Sequence, residues 1–72
     1  MDFLRATLLF DGRPTVSFEA LTGSEVRTVT TGVIAGKFCT VIWTLRLDRR
    51  RIISLRRSRD EERRAYRQLH GG

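Results

Sequence analysis

Residues 37 to 57 hold the pattern that most narrows the fold. From Lys37 onward the chain alternates, with Cys39, Val41, Trp43, Leu45 and Leu47 on one side and Phe38, Thr40, Ile42, Thr44 and Arg46 on the other. A period of two is the mark of a strand with one buried face, and the Trp43 side is the expected core. Residues 51 to 57 read as a second such strand, with Ile53 and Leu55 on one side and Ile52, Ser54 and Arg56 on the other, and Asp48-Arg49-Arg50 as the turn between. Antiparallel pairing through so short a connection places Arg46 and Arg56 on the same, wetter sheet face, provided that Ile53 and Leu55 join Trp43 in the core.

Two further strands precede these. Residues 25 to 34 are rich in β-branched side chains, and Ala35-Gly36 supplies a tight turn into residue 37. Val16 and Phe18 alternate with Thr15, Ser17 and Glu19, which reads as a short strand opened by Pro14 at a sheet edge, where no ladder donor is needed. Thr22-Gly23-Ser24 makes the next turn. Helices are expected at both ends. Asp2 can cap a short helix carrying Phe3, Ala6, Leu9 and Phe10, stopped by Asp11-Gly12. Ser58-Arg59-Asp60-Glu61 has the form of a capping box, so the last helix is expected from near Arg59 to about Leu69, with Gly71-Gly72 beyond its end. The fold class is therefore α+β: an N-terminal short helix, a four-stranded antiparallel sheet and a C-terminal helix. Seventy-two residues leave room for one core, so residues 1–72 are expected to form a single domain.

Charge points to a partner. Residues 1 to 45 hold four bases and four acids, whereas residues 46 to 72 hold ten Arg and four acids, so the whole formal excess of +6 is C-terminal. Thirteen of the fourteen bases are Arg, whose planar fork suits phosphate oxygens, and a polyanion such as nucleic acid is the leading reading over an acidic protein. The single Cys39 excludes an intramolecular disulfide and fits a reducing compartment. No apolar run nears the ~18 residues of a membrane span, and residues 1 to 5 lack the order of a signal peptide, so a soluble, cytoplasmic protein is expected.

The residue types narrow the chemistry. His70 and Cys39 are the only soft metal ligands and lie far apart in sequence, so no metal and no cofactor is expected. Asp60, Glu61 and Glu62 complement a helix dipole better than they hold Mg²⁺. His70, next to two glycines, is set aside as a catalytic base. Attack of an RNA 2′-hydroxyl on phosphorus needs cationic donors and proton carriers. Arg46, Arg51, Arg56 and Arg57 can be the donors, and Glu61 or Glu62, Tyr66 or Lys37 the carriers, since Arg hardly deprotonates. Glu62 and Tyr66 share one helix face. The competing reading packs the Tyr66 ring on the sheet and pairs Asp60 and Glu61 with Arg64.

Residues 51 to 58 read Arg-Ile-Ile-Ser-Leu-Arg-Arg-Ser, and Glu62-Arg63-Arg64-Ala65-Tyr66 follows. This resembles the BrnT family of bacterial toxins, which carries an R-I-I-S-x-R-x block and then an E-R-x-x-Y helix. Glu25-Val26-Arg27, Gly32, Gly36-Lys37 and Thr44-Leu45-Arg46 look like that family's E-x-R, I-G, G-R and T-x-R positions, and Asp2-Phe3 with Phe10-Asp11 resembles the end of its first helix. The resemblance implies a RelE-like fold, a ribonuclease that arrests translation without a metal, and a BrnA-type antitoxin partner that also binds DNA. It also implies RNA as substrate and a homodimer or a toxin–antitoxin hetero-oligomer as the assembly.

Chemistry and resemblance together make Arg46, Arg56, Glu62 and Tyr66 the expected catalytic residues, and the C-terminal arginines Arg46, Arg51, Arg56, Arg57 and Arg59 the expected nucleic-acid contacts. The family's usual opening segment, with a W-D-x-x-K-x-x-x-N-x-x-K-H-G pattern, has no counterpart here. That makes a non-catalytic, shortened relative that binds antitoxin or RNA the alternative expectation.

Overall fold

The computed structural model describes residues 7–71. Within them, Leu8–Phe10 form one 3-10 turn, followed by strands β1 (Thr15–Thr22), β2 (Glu25–Ile34), β3 (Lys37–Arg46) and β4 (Arg49–Arg57) and by helix α1 (Asp60–His70). The expected helix from Asp2 lies for the most part outside the described residues. The strands form one antiparallel sheet in the order β1-β2-β3-β4. This is the α+β arrangement that alternation predicts, and each strand follows its neighbour through a hairpin.

The hairpin turns differ in how openly the sequence announces them. Gly23-Ser24 and Ala35-Gly36 carry a glycine, and Ala35 and Gly36 both have positive φ (52° and 77°), as primed two-residue hairpin turns demand. The third turn is Leu47-Asp48, with φ of 50° and 64° and no glycine at all. The expected turn at Asp48-Arg49-Arg50 is thus displaced toward the N-terminus, and β4 begins at Arg49 rather than Arg51. Sequence chemistry favoured the polar triplet, but register against β3 places Arg46 opposite Arg49, which leaves only two residues for the loop.

Pairing defines two sheet faces, because residues directly opposite in an antiparallel ladder point the same way. One face carries Ile34, Cys39, Val41 and Trp43. The 3-10 turn closes over it, with buried Leu9, Ile34 and Val41 joined by half-buried Phe10, Cys39, Trp43, Ile52 and Leu55. Phe10 meets Trp43 edge-to-face at 5.4 Å, and the indole N–H of Trp43 donates to Thr30 Oγ1 at 2.8 Å. The Trp43 side is therefore the core, as alternation requires, although it stops short of the strand end: Leu45 is 64% exposed and Leu47 97%.

On β4 the residue that joins Leu55 in the core is Ile52 and not Ile53. A bulge interrupts the β3–β4 ladder, so that Ile42 faces Ser54 while Trp43 faces Ile52. The one extra residue on β4 inverts the facing of everything before it. Arg50 is thereby turned onto the core face, where its guanidinium lies 3.7 Å from the Phe10 ring centre and 4.9 Å from that of Trp43. Alternation alone cannot reveal such an insertion.

Gly32 sits in the middle of β2 for a steric reason. A Cβ there would lie 2.6 Å from Leu9 Cδ2 and 3.2 Å from Thr15 Cγ2, so glycine is what lets the 3-10 turn seat its leucine. Two outcomes follow, to be read by urea denaturation. Leu9→Ala is expected to lose ~2–5 kcal/mol, the range for emptying a buried leucine site. Gly32→Ala alone is expected to lose ~1–3 kcal/mol by overpacking; in the Leu9→Ala background most of that loss should vanish, because the two sites share one space.

Candidate functional site

Helix α1 lies on the second face, and polar groups attach it there. Its carboxylate Glu62 is only 9% exposed. Glu62 Oε1 accepts from the backbone N–H of Arg59 at 2.7 Å, from Arg56 Nη1 at 2.8 Å and from Thr40 Oγ1 at 3.0 Å, while Oε2 accepts from Arg56 Nη2 at 2.7 Å. Three elements thus converge on one side chain: β3, β4 and the helix start. The Arg56 fork is bidentate, the strongest form of such a pair.

This geometry revises the expected cap. Ser58 does not serve as the cap of a box closed by Glu61. Arg59 is the N-cap, and Glu62, three residues on, reaches back to its N–H. The Ser58 hydroxyl lies instead 2.8 Å from Thr40 Oγ1, which is also 2.9 Å from Thr31 Oγ1. Thr31, Thr40 and Ser58 are all buried. Asp60 pairs with Arg63 rather than with Arg64, and the helix closes at Gly71 in the left-handed region (φ 67°), where its N–H donates to Arg67 O.

Electrostatics follow from these contacts. Chiefly the Arg56 hydrogen bonds, helped by those from Arg59 and Thr40 and opposed by burial, hold the Glu62 carboxyl at about 2 against its usual 4.5. Arg56 is correspondingly raised by Glu62. Glu62 therefore stays ionised at any physiological pH and holds no proton to give.

Beside this pair opens a cleft of about 430 Å³, lined by Lys37, Phe38, Cys39, Leu55, Arg56, Arg57 and Arg63. Four cations and no carboxylate line it. The Arg56 guanidinium has five N–H donors, of which three serve Glu62 and the Arg57 carbonyl. The remaining two can meet an anion.

The structure splits the residues that sequence grouped. Arg56 and Glu62 touch, Arg57 shares the cleft, and Arg59 is exposed at the helix start. Tyr66 lies one turn further along α1, half-buried, its ring edge-to-face with Phe38 at 5.4 Å. Arg46 and Arg51 are elsewhere. They line a separate cleft with Glu19 and Glu25 at the opposite end of the strands. Arg46 does share a face with Arg56, but Arg56 is opposite Thr40, six residues along β3 from Arg46, or about 20 Å. The condition placed on that shared face holds for Leu55 and fails for Ile53, whose place in the core Ile52 takes.

Sequence reasoning passed over two groups. Thr40 looked like a plain strand residue, and only register could bring it under the helix. His70, expected to be loose, is the last residue of α1 and donates Nε2–H to Thr15 O at 2.8 Å, with its ring 4.8 Å from that of Tyr66. Among the described residues no three His, Cys, Asp or Glu side chains gather as metal ligands, and no helix is long and apolar enough to cross a membrane.

Over residues 1–62 the chain matches the model of a family described as ribonuclease toxin, BrnT, of type II toxin-antitoxin system. No curated protein and no solved structure matches it.

The ion pair predicts an acid profile. Because the folded carboxyl titrates below its unfolded value, the stabilisation is fully present above pH ~4.5 and is lost as pH falls toward 2. Stability measured by denaturant midpoint should therefore fall across that window in the native chain. In Glu62→Gln, which is expected to be less stable at pH 7, the decline should be visibly shallower.

Proposed function

The chain belongs to the BrnT family of ribonuclease toxins of type II toxin–antitoxin systems, and from that membership and the geometry we propose that the Arg56 cleft cuts RNA without a metal ion and so blocks translation. The observation that carries this reading is the bidentate Arg56–Glu62 pair at the wall of a cleft lined by four cations. A scissile phosphate placed there meets the two unused donors of Arg56 and the charges of Arg57, Lys37 and Arg63. Charge builds on the phosphate oxygens as the 2′-oxygen attacks and the 5′-oxygen leaves, and donors fixed in advance stabilise that charge most. A cleft lined by cations and free of carboxylates attracts phosphate and repels Mg²⁺, which wants oxygen ligands.

Glu62 orients Arg56 in this scheme. Of the other expected proton carriers, Glu61 and Tyr66 stand on α1 and Lys37 lines the cleft, and proton transfer in this scheme falls to Tyr66. Arg46, Arg51 and Arg59 act as outlying contacts that guide the strand. The fold is RelE-like in this reading, residues 1–72 form one domain, the working compartment is the cytoplasm, and a BrnA-type antitoxin neutralises the toxin in a hetero-oligomer.

One observation favours a second reading. Cys39 is the sole titratable residue lining the cleft that is not a cation, so no evident base faces the phosphate. A module that captures RNA or antitoxin without cutting would look the same. Incubation of purified chain with single-stranded RNA in chelator separates the two. Cleavage is expected, with Arg56→Ala reducing its rate by ~10²-fold or more, the usual effect of losing one charge-stabilising donor, and Arg13→Ala leaving it intact. Binding should weaken steeply with salt, each phosphate contact adding roughly −0.7 to the log-log slope. Salt-dependent binding with no cleavage would establish the binding module instead.

A further inference from the structure

We infer that Thr40 is a positioning residue: its single hydroxyl proton is committed to Glu62 and fixes the carboxylate that aims Arg56 into the cleft. The inference rests on the reading of that cleft as the reactive site, and it follows from counting protons. Thr40 Oγ1 has three partners, Glu62 Oε1 at 3.0 Å, Thr31 Oγ1 at 2.9 Å and Ser58 Oγ at 2.8 Å. A hydroxyl has one donor and two lone pairs, so three partners exhaust it. An ionised carboxylate only accepts. The Thr40 proton must therefore point at Glu62, and both lone pairs must accept, one from the Thr31 hydroxyl and one from that of Ser58. Every proton in the cluster runs toward the carboxylate, and no alternative orientation satisfies all four groups.

Burial makes this direction binding. Thr40 is 0% exposed and Thr31 1%, so no water can substitute for a missing partner without rearrangement. Oε1 is held by three donors, and Oε2 accepts from Arg56 Nη2. With Oε1 fixed by β3 and by the helix N-terminus, rotation of the carboxylate is blocked, and the plane of the guanidinium that forks onto it is set as well. Thr40 touches no part of the cleft itself; it acts through Glu62 and then Arg56. β3, the central strand it stands on, is the stiffest support for such a contact.

The test compares Thr40→Val, which keeps the shape and removes the hydroxyl, with Thr40→Ser, which keeps the hydroxyl. The Glu62 side-chain carbon is followed by NMR through a pH titration. In Thr40→Val the protonation midpoint should rise by about one pH unit, because a donor to the charged form is gone, and Thr40→Ser should titrate as the native chain does. In RNA cleavage, kcat of Thr40→Val should fall roughly tenfold with KM unchanged, and Thr40→Ser should restore it. A native midpoint in folded Thr40→Val overturns the inference, as does a shifted midpoint with native kcat. If no form of the chain cuts RNA, the cleavage reading fails while the titration still decides the role of Thr40. Should Thr40→Val not fold, the native chain answers: a Thr40 hydroxyl proton protected from exchange and close to Glu62 supports the assignment, and a freely exchanging one overturns it.

Discussion

A single buried carboxylate joins the two halves of this small fold. Helix α1 has few apolar groups to offer the sheet, and what fastens its first turn is Glu62, gripped by Arg56 from β4 and Thr40 from β3. Such a joint is exacting. Removing one partner of a buried pair leaves the other charge uncompensated, which commonly costs about 3–5 kcal/mol, a large part of what a domain of this size has in hand. In the proposed reaction the same joint would serve the chemistry, since the guanidinium that anchors the helix keeps two N–H donors unused by Glu62 and the Arg57 carbonyl. On that reading, stability and function draw on one set of hydrogen bonds.

The two sheet faces solve different problems. On one, Leu9, Ile34 and Val41 make a dry core under a 3-10 turn, and Gly32 provides the depth that Leu9 needs. On the other, threonines and a serine replace aliphatic residues, and every hydroxyl in the Thr31–Thr40–Ser58 cluster finds a partner. A satisfied polar cluster tolerates only one arrangement, whereas an oily contact would let the helix slide. The β4 bulge then sorts the arginines. It sends Arg50 to the aromatic pair Phe10–Trp43 and leaves Arg56 with Glu62.

Much of this was legible in the chain. Strands β2 and β3 follow from β-branched density and from alternation, and the Ala35-Gly36 turn from its glycine. Trp43 belongs to the core side because Val41 flanks it at the same parity. The bulge was not legible, because one inserted residue leaves no mark in a nine-residue strand that is apolar on both sides at Ile52 and Ile53. Nor was the separation of Arg46 from Arg56: sequence gives the face of a strand residue but not its distance along the sheet from residues of another strand. The pairing of Thr40 with Glu62, 22 positions apart, depends on how the helix folds back, which no local signal encodes. Ser58 misled because the capping pattern it satisfies recurs one residue later with Arg59 and Glu62.

Among the described residues both margins of the sheet are open, since β1 and β4 each have a neighbour on one side only. An unpaired strand edge invites another chain to add to it, and natural proteins answer with charge. β4 carries Arg49, Arg50, Arg51, Arg56 and Arg57 along nine residues, so two copies approaching through their β4 edges meet like charge. That protection is conditional. A polyanion bound along the arginines would neutralise the very charges that keep copies apart, and such a loaded form, rather than the free one, would be the form in which edges can meet. On the proposed reading, the guard against self-association sits on the same arginine side chains that would receive the RNA.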